Sequence, residues 1–175
     1  MENLEIRSAT TDDAQTILDI YKWYVTNTAI TYEYDVPSLE EFRERISYTL
    51  KKYPYLVAVL NGEIVGYCYA GTFKSRAAYS RSCEVSIYVN KDLHRSGVGR
   101  ALYTELEARL KAMGMLNMYA CIAYPEVEDE YLTKNSPDFH AHTGFSLAGR
   151  YHKCAYKFGR WYDMVWMEKL IGEHV

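Results

Sequence analysis

Proline and cysteine are scarce in this chain, with four of each in 175 residues. The cysteines, Cys68, Cys83, Cys121 and Cys154, stand far apart with no Cys-x-x-Cys pair. No zinc site is therefore expected, and a reducing compartment is. Cys68, Cys83 and Cys121 fall within apolar, strand-like runs, where a thiol behaves as a small buried hydrophobe. Nothing approaches the roughly 18 consecutive apolar residues of a membrane span. The opening MENLEIRSATTDD carries acids and no apolar run, so no signal peptide is expected and the location is read as cytoplasmic. Positive charge is not in excess: the net charge is −3, which gives no case for a nucleic-acid or membrane-surface partner. Internal repeats, low-complexity segments and linkers are absent as well.

What is present is an ordinary globular composition, 49% hydrophobic and 25% charged. This length is enough for one domain, 1–175, with a core of about 4–169. The segment from Leu4 to Arg7 alternates as a strand. A helix follows, with Thr10 or Thr11 as N-cap and Asp12 and Asp13 in its first turn, where they complement the helix dipole. Its apolar face runs Ala14, Ile17, Leu18, Tyr21 and Tyr24 or Val25. A second helix starts after Pro37, with Ser38 as cap and Glu41 three residues on. Two strand-like runs flank Asn61-Gly62, a strong hairpin signal. The eighteen tyrosines recur at no fixed period, and most fall in strands, where tyrosine is favoured.

The most informative stretch is LHRSGVGRALYTELEARL, residues 93–110. It follows CEVSIYVN, an alternating strand with Cys83, Val85, Ile87 and Val89 on one face and Glu84, Ser86 and Tyr88 on the other. Gly97 and Gly99 then stand before a helix whose apolar stripe is Val98, Ala101, Leu102, Leu106 and Leu110. Glu105 with Arg109, and Glu107 with Lys111, form i,i+4 pairs on its wet side. Strand, glycine turn and helix together present bare backbone N–H groups at a helix N-terminus, a ready anion site. Lys91, His94, Arg95 and Arg100 cluster there, which points to a local anion. No Gly-Lys-Ser/Thr follows, so a nucleotide P-loop is disfavoured. A strand MYACIAY, an acidic loop, a short helix around PDFHAHTG and two strands about Gly159 complete an α+β domain, mostly antiparallel in its first half.

In this order, IYKWYVTNTAITYEYDVPSLEEFRERI, TFKSRAAYSRSCEVSIYVNKDLHRSGVGRALY and FHAHTGFSLAGRYHKCAYKFGRWYDMVWM carry a resemblance. The chain resembles the GNAT N-acetyltransferase superfamily, and within it the phosphinothricin acetyltransferase type, over roughly Leu4 to Lys169. The resemblance implies a single domain with a mixed, mostly antiparallel sheet flanked by helices. It implies acetyl transfer from acetyl-CoA to the primary amine of a small amino-acid-like compound, such as phosphinothricin or methionine sulfoximine. Protein or peptide acetylation and a non-catalytic acetyl-CoA sensor are the rival readings. A homodimer is also implied, and no metal is.

The same resemblance assigns residues. The coenzyme A diphosphate falls to Arg95, Ser96, Gly97, Val98, Gly99 and Arg100, and the pantetheine arm to the backbone of Ile87, Tyr88 and Val89. The family usually has Gln or Arg where His94 stands. Asn135 takes the place of a cofactor-side asparagine that would otherwise fall at Thr133. Phe73, Arg76 and Tyr79, with Val85 and Ser86, match the acceptor side, and Arg76 suits a substrate carboxylate or phosphinate. Glu84 matches the family's acidic residue and is the expected general base. His140, four residues before Gly144, is expected to share proton transfer, as a histidine with a pKa near its usual ~6.5 can. His142 is read as structural. Two histidines at i and i+2 on a helix diverge, and no third ligand is suggested.

Overall fold

The chain's local signals settle the helix starts. The Thr10 N–H donates to Asp13 Oδ2 at 2.8 Å, and α1 (Ala14–Asn27) follows one short turn later. Ser38 accepts from the Glu41 N–H at 3.1 Å and opens α2 (Leu39–Leu50). At Asn61-Gly62 both residues take positive φ, 52° and 87°, as the tight hairpin between β2 (Tyr55–Leu60) and β3 (Glu63–Thr72) requires. The computed structural model describes residues 3–93 and 95–175. The expectation for His94 lies outside the described residues.

Seven strands form one sheet in the order β1-β2-β3-β4-β5-β7-β6. The others are β1 (Leu4–Ser8), β4 (Ser82–Val89), β5 (Asn117–Tyr124), β6 (Ser146–Lys157) and β7 (Arg160–Leu170). Every neighbouring pair is antiparallel except β4 with β5. That parallel pair holds for only three residues, Ser82–Glu84 against Asn117–Tyr119. Beyond Glu84 the two strands run on without pairing, so the sheet opens into a V between them.

One face packs against α3 (Val98–Ala112). Leu102, Leu106 and Leu110 meet Cys68, Val85, Met118 and Val165 there, all fully or almost fully buried. The opposite face of β2–β4 is covered by α1 and α2 through Ile17, Tyr21, Val25, Phe42 and Ile46. Helix α4 (Asn135–His142) lies beside β5. The apolar face expected of α1 is buried throughout. Cys68 and Cys83 are buried as expected, whereas Cys121 is exposed. Its side chain lies on the α1–α2 side of β5, and the core under those helices draws on β2, β3 and β4 only.

Candidate active site

The glycine turn enters α3 through left-handed backbone at Arg95 (φ 60°) and Gly97 (φ 81°), the latter the helix N-cap. The first α-helical bond runs from the Ala101 N–H to the Gly97 carbonyl at 3.0 Å. Among the described residues the N–H groups before it have no helical acceptor, and only that of Val98 reaches a side chain, Ser96 Oγ at 3.4 Å. These donors border a cleft of about 600 Å³. It runs between the turn, the free end of β4, the C-terminal part of α1 and helix α4. Every residue expected to hold the cofactor lines it except Val98. The Val98 side chain is wholly buried in the core under α3, so only its backbone stays at the turn. Asn135 lines the cleft and Thr133 does not.

Gly99 carries a second constraint that the sequence conceals. A Cβ there would come within 3.0 and 3.1 Å of the Phe139 ring, so its smallness lets α3 and α4 approach. Among the cleft residues that the sequence did not single out are Tyr24, Ile30, Phe139 and His142. Tyr24 was legible only as apolar helix face, yet its hydroxyl donates across the fold to the Val89 carbonyl. His142 donates from Nδ1 to the Asp138 carbonyl at 2.7 Å. Its position on the cleft follows from how α4 packs, which spacing alone does not reveal.

Glu84 stands at the apex of the V, in the last paired position before β4 and β5 diverge. It is half-buried, and burial raises its carboxyl pKa above the ordinary value, with Lys74 opposing. Ile87, the first β4 residue on the cleft, is three positions on, about 10 Å along a strand. The carboxylate thus lies beyond the cleft's inner end, on the face left uncovered over β5.

His140 is placed differently from expectation. Only 3% exposed, it donates from Nδ1 to the Ser136 carbonyl at 2.8 Å and accepts the Tyr103 hydroxyl on Nε2 at 2.8 Å. Burial pushes its pKa down to about 4, so it is neutral at pH 7 with both nitrogens committed. The near-neutral proton shuttle expected of it is not what this environment makes. Tyr103, itself 4% exposed, points its proton at His140.

On the acceptor side, Phe73 stacks on Tyr119 at 4.2 Å and meets Tyr79 edge-on at 5.8 Å. The Phe73 ring also meets Trp166 at 5.4 Å, forming an aromatic wall beside Glu84 and its ladder partner Tyr119. Arg76 is exposed on the following turn, with no ion-pair partner among the described residues. Ser86 shares the Glu84 face. Val85 does not: it is 3% exposed and packed in the α3 core, so strand alternation removes its side chain from any acceptor.

An anion-binding helix start beside a splayed parallel pair, with a half-buried carboxylate at the apex, defines a group-transfer enzyme with a long phosphorylated donor. The profile of the acetyltransferase (GNAT) domain matches residues 6–166. The chain is 34% identical over 165 residues to a phosphinothricin N-acetyltransferase of Alcaligenes faecalis, covering 94% of this chain and 81% of that one. It is 30% identical over 163 residues to the enzyme of that name from Streptomyces viridochromogenes, covering 92% and 84%. A solved structure of a phosphinothricin acetyltransferase from Sinorhizobium meliloti, in complex with acetyl-CoA, superposes with a TM-score of 0.87 at 34% identity. That match spans 97% of this chain and 89% of the other. The chain belongs to the GNAT acetyltransferase family, and it is an acetyltransferase that uses acetyl-CoA as cosubstrate.

Proposed function

We propose that this protein transfers the acetyl group of acetyl-CoA to the primary amine of a small amino-acid-like compound of the phosphinothricin or methionine sulfoximine type. The observation that carries this is Glu84 at the apex of the V, with the anion-binding turn at one end and an open, arginine-bearing face at the other. Bound acetyl-CoA supplies the activated thioester. The α3 N–H groups, Arg95 and Arg100 hold its diphosphate, and the edge of β4 at Ile87–Val89 that β5 leaves unpaired offers backbone hydrogen bonds to its pantetheine arm, the Tyr24 hydroxyl giving up the Val89 carbonyl.

An amine attacks only when deprotonated, and Glu84 takes that proton. Burial raises its pKa, which makes it a stronger base than an ordinary carboxylate. Arg76 holds the acceptor's carboxylate or phosphinate in a bidentate pair. The leaving thiolate resembles that of a free thiol, with pKa about 8.5, and is protonated from solvent. His140 acts as a positioning residue that fixes Tyr103 beneath α3.

The test is thiol release from acetyl-CoA with phosphinothricin, methionine sulfoximine and a polyamine. Glu84→Gln is expected to lower kcat by about 10²–10⁴-fold and to leave acetyl-CoA affinity unchanged. Full activity in that variant would remove Glu84 from the mechanism. The reading extends to location and assembly. Four free cysteines suit a reducing cytoplasm. On the edge strand β6 the exposed Tyr156 (49%) meets the exposed Trp161 (61%) of β7 with ring centroids 5.0 Å apart, an apolar patch that suits a homodimer. Light scattering showing a monomer at micromolar concentration would refute the dimer.

A further inference from the structure

The sheet face that carries Glu84 also carries a second cavity, of about 240 Å³, beneath α2. Its floor is a row of tyrosines from two strands, Tyr55 on β2 with Tyr67 and Tyr69 on β3. Their rings are almost parallel: Tyr55 and Tyr69 stack at 4.8 Å and 12°, and Tyr55 and Tyr67 at 5.9 Å and 8°. Tyr21 and Phe42 form the walls, and Arg45 and Thr49 stand at the mouth.

Tyr55 and Tyr67 are 3% and 1% exposed. Neither hydroxyl has a hydrogen-bond partner among the described residues. Yet no fully enclosed side-chain polar atom there lacks a partner, so both hydroxyls open onto the cavity. Hydroxyls with no protein partner, two of them facing one space, mark a place where a bound group can accept or donate a hydrogen bond. Arg45 limits what that is. Its guanidinium is held by Glu33 at 2.7 and 3.1 Å and by Glu41 at 2.7 Å. One positive charge between two carboxylates leaves the mouth net negative, which rejects an anionic group.

Tyr69 links the cavity to the site proposed for chemistry, although neither Glu84 nor Ser86 lines the cavity itself. Tyr69 lines it and is the ladder partner of Ser86, which shares a strand face with Glu84 two positions away. That spacing is about 7 Å, within one ring length of an amine at Glu84. A cavity of about 150 Å³ is enough to hold benzene, so this one admits a ring with a polar substituent.

We infer that the tyrosine-floored cavity is the subsite for the acceptor's side chain, and that it takes an uncharged aromatic ring bearing a hydrogen-bonding group. The acceptor class then extends beyond the phosphinothricin type to an aromatic α-amino acid or its amine analogue. This inference rests on the proposed role of Glu84.

The test is acetyl-CoA-dependent thiol release with L-tyrosine, L-phenylalanine and L-alanine, which share the groups that Glu84 and Arg76 address. kcat/KM is expected to fall in that order. The tyrosine-to-phenylalanine ratio is expected to drop about 5–10-fold in Tyr67→Phe, the worth of one hydrogen bond. Because Tyr67→Phe removes a hydroxyl with no protein partner, its Tm should not fall, and a ratio within one variant is insensitive to the amount of folded enzyme. Calorimetric titration of Glu84→Gln with L-tyrosine reads the subsite without turnover. Equal kcat/KM for tyrosine and alanine, or an unchanged ratio in Tyr67→Phe, would overturn the subsite while Glu84-dependent turnover of phosphinothricin leaves the proposed function standing. If no amine is acetylated but tyrosine still binds Glu84→Gln with a Tyr67-dependent affinity, the subsite survives and the proposed reaction falls. Absence of both overturns both.

Discussion

Replacing His140 by glutamine separates its structural role from a catalytic one. In the folded protein its pKa is pushed to about 4 by burial, against 6.5 for an unhindered histidine. Between those values the unfolded chain binds a proton that the native state refuses, so stability falls as pH is lowered. The contribution is fully present above pH ~6.5 and is lost progressively as pH drops toward ~4. At about 1.4 kcal/mol per pH unit it amounts to about 3 kcal/mol, or roughly 6–12 °C in Tm for a chain of this size. His140→Gln removes the titration and can still accept the Tyr103 hydroxyl through its amide oxygen. Glu84, with its raised pKa, titrates with the opposite sign, and it does so in both proteins, so it cancels in the comparison. Urea unfolding from pH 7.5 to 4.5 is the assay. The variant should be less stable at pH 7.5, and the gap should close by about 2–3 kcal/mol at pH 4.5. In activity, kcat should fall less than about tenfold, below the usual span for an acid–base residue, and the acid limb of its pH profile should persist. Parallel stability curves, or loss of the acid limb, would show that His140 titrates near neutrality after all.

Other perturbations follow from the same geometry. Gly99→Val drives a branched side chain into the Phe139 ring, 3.0 Å from where a Cβ would sit. It should cost about 1–3 kcal/mol in denaturant unfolding and abolish the Tm increase given by acetyl-CoA. Lys157 is 3% exposed, and its ammonium donates to the carbonyls of Val25, Thr28 and Thr31 at 2.9, 2.9 and 2.8 Å. Lys157→Met should lower stability by about 2–4 kcal/mol and raise acceptor KM more than acetyl-CoA KM, because the segment after α1 loses its anchor. Arg76→Gln should raise KM for a carboxylate-bearing acceptor by about 10-fold or more, as loss of a charge-assisted pair does, and should leave Tm unchanged. An unchanged KM would show that the acceptor's anion binds elsewhere.

Local chemistry was enough for much of this protein. The capped helix starts, the Asn61-Gly62 hairpin, the alternation of β4 and the glycine turn into α3 each depend on residues within a few positions of one another. The sequence therefore determined the elements, the glycine turn at Gly97 that opens α3 and the position of Glu84 on the strand face opposite Val85. The tertiary structure decided what no local pattern encodes. Strand alternation alone could not tell that Val85 faces α3 and Ser86 the opposite side of the sheet; that depends on which side α3 packs. Parting of β4 and β5 after Glu84 turns a solvated strand glutamate into one at the apex of a cleft. Packing of α4 on α3 buries His140, moves its pKa away from neutrality and leaves His142 on the cleft instead. Tyr67 and Tyr69 share a strand face by simple alternation, but their stack on Tyr55 is set by register between strands. Charge, burial and cavities arise between segments distant in sequence, and so only the folded chain could assign them.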